Sequence, residues 1–397
     1  MEKIYFDHAA TTPVDPRVME KMLPYFTDNF GNPNSQHWFG RRSVTAVDEA
    51  RDTVASVLGA KPSEIYFTSG GTESDNWALR GAARAYANKG KHLIVSAVEH
   101  PAMIATAKEL TKEGFDVTFA DVDEFGTVDL EKLRRAIRPD TIFIGVMTAN
   151  NEIGTLQPIA EISEIAQECG AVFFTDAVQA AGTLKLDVNA PRVDMLSLSG
   201  HKFYGPKGVG VLYVRSGKRV GKIITGGHQE RGMRGGTTNV PGVVGLAEAL
   251  RLSLAEAEQN NAYVSRIRDH FVARVLREIP YVKLNGHPKN RLPNNANFSF
   301  RYIEGESLLF SLDLAGIAVS SGSACSSGSL EPSHVLLATG MPEGLAHGSI
   351  RFSFGKENTI EEADFAVDVL KETVLRLRAL SPLFPKDLKN EVYDKEG

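Results

Sequence analysis

The sequence predicts an α/β fold: a large domain on a mainly parallel seven-stranded sheet flanked by helices, followed by a smaller domain. Three observations carry this. Short β-rich runs alternate with longer helical patterns through the middle of the chain, the signature of a parallel sheet covered by helices on both faces. Several of those runs are apolar nearly throughout, as strands buried on both faces must be. The length, 397 residues, exceeds the size at which one hydrophobic core keeps growing.

In order, the strands are read as 64–68 (EIYFT), 92–97 (HLIVSA), 117–120 (VTFA), 141–147 (TIFIGVM), 171–175 (AVFFT), 195–198 (MLSL) and 209–214 (VGVLYV). The stretch between the last two contains glycine and proline and is too short for a crossover helix, so that pair is expected to be antiparallel. From about Gly242 a long polar helical stretch runs past Ala255 to about Arg277 and leads into the second domain, with strands at 297–300 and 349–354. A final helix follows. Thr359 and Glu362 have capping-box spacing, and Ala366, Leu370, Val374 and Leu377 repeat at helical intervals as a packing stripe. The tail from Ser381, charged and punctuated by prolines, is expected to be loosely held.

Hydrophobic residues make up 42% and charged residues 23%, and no apolar run approaches the roughly 20 residues of a membrane helix, so a soluble protein is expected. The start, MEKIYFDHAA, lacks the basic and apolar regions of a secretory signal, which makes the cytoplasm the expected location. A net charge of -5 without a basic block argues against direct nucleic-acid binding. Two cysteines are too few for a disulfide framework or a four-cysteine metal site. Cys169, ahead of Gly170 and AVFF, reads as packing. Cys325, in the Gly/Ser-rich SSGSACSSGSL, has the surroundings of a loop rather than of a buried core.

Three stretches carry chemistry. In SGHKFYGPKGVG (199–210), Lys202 is either a surface lysine in a turn or a Schiff-base lysine, which needs partial desolvation and phosphate-binding groups such as Ser199 and His201. In FTSGGTESDNWAL (67–79), a strand gives way through Ser69, Gly70 and Gly71 to a helix beginning near Thr72. That turn could present free N–H groups to an anion, although any strand-to-helix connection favours glycine and a capping threonine. In FFTDAVQAAG (173–182), Asp176 lies just past a buried strand, at the carboxyl edge where open α/β sheets bind ligands. It is either a helix N-cap or the carboxylate that keeps a pyridoxal ring nitrogen protonated.

FDHAATTP, GGTES, VEHPA, NNEIG, DAVQ, SGHKFYGPKG, ERGMRGGT and SSGSACSSG occur in that order between Phe6 and Gly355. Together they resemble the NifS/IscS-type cysteine desulfurases, class V aminotransferase-like enzymes of the fold-type I pyridoxal 5'-phosphate (PLP) group, with the Cys325 stretch similar to the long-loop branch. The resemblance implies a large PLP-binding domain over 16–255 and a smaller α+β domain from 1–15 with 256–397. It implies that Lys202 holds the cofactor, Asp176 pairs with the ring nitrogen, Gln179 reaches the ring oxygen, and His100 stacks on the ring and moves protons. Thr72, Ser199, His201 and the backbone at Gly71 would bind the phosphate, joined across a dimer interface by Thr237. Asn151 and Arg351 would hold the substrate carboxylate.

By the same resemblance, L-cysteine is the substrate, and the Cys325 thiolate takes its sulfur as a persulfide while alanine departs, with His100 as the proton acceptor. A homodimer is implied, with an iron–sulfur scaffold or a tRNA-thiolating enzyme as sulfur acceptor. No intrinsic metal is implied, and a transient iron–sulfur ligand role for Cys325 stays open. Gly70 and Gly71 depart from the Cys-Ala or Gly-Ala pair of many relatives, and the tail after Ser381 lacks a matching scaffold-docking motif. The alternatives are another class V enzyme, a transaminase or selenocysteine lyase, and a non-catalytic sulfur-relay protein.

Overall fold

The computed structural model of the chain describes residues 3–321 and 331–385. The first element is a two-residue strand, β1 (Ile4–Tyr5). The large sheet follows, from β2 (Ile65–Thr68), β3 (His92–Ser96), β4 (Asp116–Ala120), β5 (Thr141–Gly145), β6 (Val172–Asp176), β7 (Met195–Ser199) and β8 (Gly210–Val214). Its order is β2-β8-β7-β6-β5-β3-β4. Pairing is parallel from β4 through β3, β5 and β6 to β7, and β8 runs antiparallel to both β7 and β2. The expected class, the seven strands and the antiparallel last pair all hold, with strand ends moved by one or two residues.

Burial on both faces explains why these runs were readable. Every residue of β3, β5, β6, β7 and β8 is buried. On one face, helices Gly71–Tyr86 and Pro101–Lys112 bring Trp77, Leu79 and Met103 against Leu93, Phe143 and Phe174. On the other, helices Trp38–Leu58, Ile159–Cys169 and Val240–Ala255 bring Val54, Ile165 and Leu246 against Ile94, Ile144 and Phe173. Adjacent strand residues thus serve opposite cores, as the pleat requires. Cys169 packs partly buried against this second face.

The stretch from Gly242 is two helices rather than one. Val240–Ala255 is apolar and buried along Val243, Leu246 and Leu250, whereas Ala257–Glu278 is polar with a single inward stripe of Val264, Ile267, Phe271 and Val275. They part at Glu256, whose carboxylate is held by the Arg17 guanidinium. The change of face is what breaks the helix: each half buries its stripe in a different core.

The second core lies beyond this break. β9 (Val282–Asn285), β10 (Asn295–Phe300), β11 (Ile317–Ala318), β12 (Ser320–Ser321) and β13 (Ser349–Ser353) complete the strands. Four of them form a sheet in the order β12-β13-β10-β9, while β11 pairs in parallel with β1. Phe271 is the hub of this core, with ring centroids 4.7 Å from Phe352 and 5.4 Å from Phe354. The closing helix, Ile360–Leu380, has the expected capping box: the Thr359 hydroxyl accepts the Glu362 N–H at 3.1 Å and the Glu362 carboxylate accepts the Thr359 N–H at 3.0 Å. Ala366, Leu370 and Val374 are buried as the stripe predicts.

The expectation that the tail is loose from Ser381 needs correction as far as Pro385, and its remainder lies outside the described residues. Phe384 is 2% exposed and sits on Tyr302 and Tyr281, at 5.4 and 6.3 Å between centroids, so the chain is packed at this point. No helix among the described residues is long and apolar enough to cross a membrane.

Candidate active site

A cavity of about 320 Å³ opens at the carboxyl edge of the large sheet, lined among others by Gly71, Thr72, His100, Asn151, Asp176, Gln179, Ser199, His201, Lys202 and Arg351. These are ten of the twelve residues singled out in the sequence. Each arrives there for a local reason. Gly70 adopts φ 152° and ψ -176°, a conformation open to glycine alone, and so turns β2 into the helix Gly71–Tyr86. The first turn of that helix leaves N–H groups without intrahelical partners, at its positive end and beside Thr72. β6 ends at Asp176 and β7 at Ser199, and the antiparallel return from β7 to β8 holds His201 and Lys202 in a short helical turn.

The remaining wall is the segment 7–12, the middle of the FDHAATTP motif. Its Ala9 and Ala10 carbonyls accept the Lys202 ammonium at 2.6 and 2.8 Å, and the Ala9 carbonyl also accepts the Gln179 amide at 3.0 Å. Thr11 Oγ1 lies 3.1 Å from His201 Nδ1, and the Thr12 N–H donates to the His201 carbonyl at 2.9 Å. The segment is pinned from the second core, where the Ser353 hydroxyl accepts the Ala9 N–H at 2.8 Å. The motif therefore links the two cores across the cavity.

Electrostatically the cavity floor is a set of buried acids. Burial pushes the Asp176 carboxyl up to about 6, even though the Val178 N–H donates to it at 2.8 Å and Lys202 lies near. Asp75, which the sequence reading missed, lines the same cavity at 1% exposure and accepts the Ser197 hydroxyl at 2.6 Å. Burial and the charge of Asp176 raise it well above the usual carboxylate range, and Glu99 is raised for the same two reasons.

Burial, aided by the charges of Lys202 and His334, pushes the His100 imidazole down to about 4, so it is neutral at pH 7. Its Nδ1 accepts the Ala102 N–H at 3.2 Å, which assigns the proton to Nε2. At the far wall Arg351, 2% exposed, donates from Nη1 to the Asn151 carbonyl and from Nη2 to Asp7, both at 2.9 Å.

Two expected residues are not in the cavity. Thr237 is exposed and lines a separate depression with Tyr25, Phe30 and Asn32. Cys325 lies outside the described residues.

The residues fit PLP. A helix N-terminus with Thr72, Ser199 and His201 suits a phosphate, Lys202 is an amine within the same cavity, and the buried Asp176 suits a pyridinium. The volume falls within the roughly 300–1,000 Å³ typical of small-molecule sites.

Comparison with known proteins agrees with this picture. Residues 4–365 match the class-V aminotransferase family. The cysteine desulfurase IscS of Methanosarcina thermophila is 53% identical over 386 residues, covering 97% of this chain and 95% of its own. A solved NifS-like protein superposes with a TM-score of 0.89 at 38% identity, over 94% of this chain and 100% of its own. The structure of SspA in complex with cysteine is also similar, with a TM-score of 0.79 and 38% identity over 90% and 100% of the two chains.

Proposed function

Because the chain belongs to the class-V aminotransferase family and is a cysteine desulfurase, we propose that its cavity binds PLP and L-cysteine and passes the substrate sulfur to Cys325. The single observation that supports this most is the convergence of Lys202, Asp176 and the Gly71–Thr72 helix start on one cavity. When bound, PLP supplies an electron sink that labilises bonds at the substrate α-carbon and, through it, the bond from Cβ to sulfur.

The residues of the chain do the rest. Ser199, His201, Thr72 and the Gly71 N–H hold the phosphate, while Asp176 orients the ring and keeps its nitrogen protonated. Gln179, whose amide donates to the Ala9 carbonyl, would reach the ring oxygen. Lys202 holds the cofactor and moves the α-proton, and Arg351 with Asn151 receives the carboxylate. His100 stacks on the ring and offers Nε2–H to the cavity as a donor; to accept the Cys325 proton it must first release Ala102. Sulfur leaves Cβ as it joins Cys325 Sγ, and Cβ takes up a proton. Thiol and L-cysteine thus balance persulfide and L-alanine without an outside oxidant.

The same proposal includes a division into 16–255 and 1–15 with 256–397, supported by the separate core that Ile4 and Phe6 share with residues from Val264 to Val374. It includes a homodimer in which Thr237 completes the partner's phosphate site. Phe30, Trp38 and Phe39, each at least 41% exposed, cluster through their rings, and Phe30 lines the Thr237 depression, an apolar patch that a second copy would cover. The persulfide would pass to an iron–sulfur scaffold or a tRNA-thiolating enzyme. A cytoplasmic setting suits a chain with two cysteines and a free Cys169 thiol.

Mass spectrometry after addition of L-cysteine tests the reaction: one extra sulfur on Cys325 with equimolar alanine is expected. Keto acid without persulfide would overturn the proposal in favour of a transaminase. Light scattering that finds an active monomer would overturn the shared phosphate site.

A further inference from the structure

The turn that carries Lys202 ends with a side chain from another part of the molecule built into it. The Gly200 carbonyl accepts the Gly205 N–H at 3.0 Å, and Tyr204 precedes that glycine at φ 63°. This is the outer bond of a Schellman-type ending, with a tyrosine at the left-handed position that glycine ordinarily takes. The inner bond of such an ending would run from the Tyr204 N–H straight to the His201 carbonyl. Instead the Thr12 hydroxyl stands between them, accepting the Tyr204 N–H at 2.7 Å and donating to the His201 carbonyl at 3.0 Å. Lys202 lies inside the ring that this bridge closes.

The bridge is firmly held. Thr12 is 3% exposed. The Tyr204 carbonyl accepts the Asp15 N–H and its hydroxyl accepts the Lys356 N–H, both at 3.0 Å, while the Lys356 ammonium lies 4.4 Å from the centre of its ring. The segment that supplies Thr12 also meets the far end of the lysine, through the Ala9 and Ala10 carbonyls. Backbone and ammonium of Lys202 are thus both referred to residues 9–12.

Taking Lys202 as the residue that holds PLP and moves the α-proton, as proposed above, we propose that Thr12 is a positioning residue that aims Lys202 through the hydroxyl inserted into its turn. The amine has to serve two places, the cofactor and the substrate α-carbon, from one Cα. When it leaves the Ala9 and Ala10 carbonyls, the Thr12 bridge still ties that Cα to the same segment. The inserted hydroxyl also keeps the Tyr204 N–H and the His201 carbonyl farther apart than a direct bond would. Without it the turn can tighten and carry the Lys202 Cα with it, and misplacement by about 1 Å at a reacting group can cost about a hundredfold in rate.

The test uses the holoenzyme with Thr12→Val, Thr12→Ala and Thr12→Ser. Two quantities are read: L-alanine affinity, from the change in cofactor absorbance, and the rate at which saturating L-alanine exchanges its α-proton in deuterium oxide, by proton NMR. Thr12→Val and Thr12→Ala should slow exchange about tenfold and leave affinity within about twofold. Thr12→Ser, which keeps the hydroxyl, should exchange within about twofold of the unaltered enzyme. Full exchange in the valine and alanine variants overturns the proposal, and so does a loss in Thr12→Ser equal to theirs. A parallel fall of affinity and rate, or failure of both variants to retain PLP, marks a general structural role and overturns it as well.

Lys202→Ala, reconstituted with PLP, keeps the two levels apart. If it exchanges the α-proton at full rate, the reading of Lys202 fails and the positioning role with it. If it loses exchange while Thr12→Val and Thr12→Ala keep the full rate, only the positioning role fails.

Discussion

Glu73 and Arg234 form a two-pronged ion pair, Nε to Oε1 and Nη2 to Oε2 both at 2.9 Å, between the turn through Gly70 and Gly71 and the loop that leads to Thr237. Glu73 also accepts the Ser69 N–H at 2.9 Å, so the pair braces the turn itself. Removing the guanidinium with Arg234→Ala leaves a largely buried carboxylate without its counter-charge. PLP affinity, measured by equilibrium dialysis, should fall about tenfold, corresponding to about 1.4 kcal/mol, with a lower thermal midpoint.

Lys202→Ala should abolish the covalent cofactor absorbance. It should also matter without PLP, because the Lys202 ammonium bridges the Ala9 and Ala10 carbonyls. Urea unfolding of the cofactor-free variant is expected to show a loss of about 1–3 kcal/mol.

Burial pushes the Glu152 carboxyl up from its ordinary 4.5 to about 7, partly opposed by the Ser333 hydroxyl and Arg351. Between those values the folded state holds a proton that the unfolded state has released. Its stabilising contribution is complete below pH 4.5 and disappears as pH rises through 7. Glu152→Gln removes this dependence, so the variant should gain on the unaltered protein by at most about 3 kcal/mol between pH 4.5 and 8, read from paired urea titrations.

His100 should remain neutral to about pH 4, with its proton on Nε2. Nitrogen-15 histidine spectra of the cofactor-free enzyme should show an unprotonated Nδ1 from pH 7 to 5. A midpoint near the ordinary 6.5 would contradict the burial assigned to this ring.

Much of this was legible in the sequence because the strands are buried on both faces, and because Lys202, Asp176 and the Gly70 turn each sit at or within three residues of a strand end. Asp75 was not. It lies one turn into a helix, where an acid ordinarily marks a solvated N-terminus, and its burial depends on β7 bringing Ser197 against it. The break at Glu256 was hidden for a similar reason, since both halves have helical patterns and only their cores differ. The work of FDHAATTP was unreadable because its partners outside the motif's own neighbourhood, from Gln179 to Ser353, are 170 to 347 residues away. Phe384 looked like tail because its partners Tyr281 and Tyr302 lie far upstream.

That separation sets a timetable during synthesis. Ile4 pairs with Ile317, and Asp7 meets Ser320 only after 313 further residues have been added. At about 5–20 residues per second, the segment waits roughly 15–60 seconds for the strands that receive it. The large sheet has all its residues by Val214, so it can form well before then. Until β13 emerges, the Ser353 hydroxyl that accepts the Ala9 N–H is missing. A chain cut short on the ribosome before β13 therefore carries Lys202 with its Ala9 and Ala10 cradle unanchored at Ser353, and Arg351, on that same strand, is missing with it.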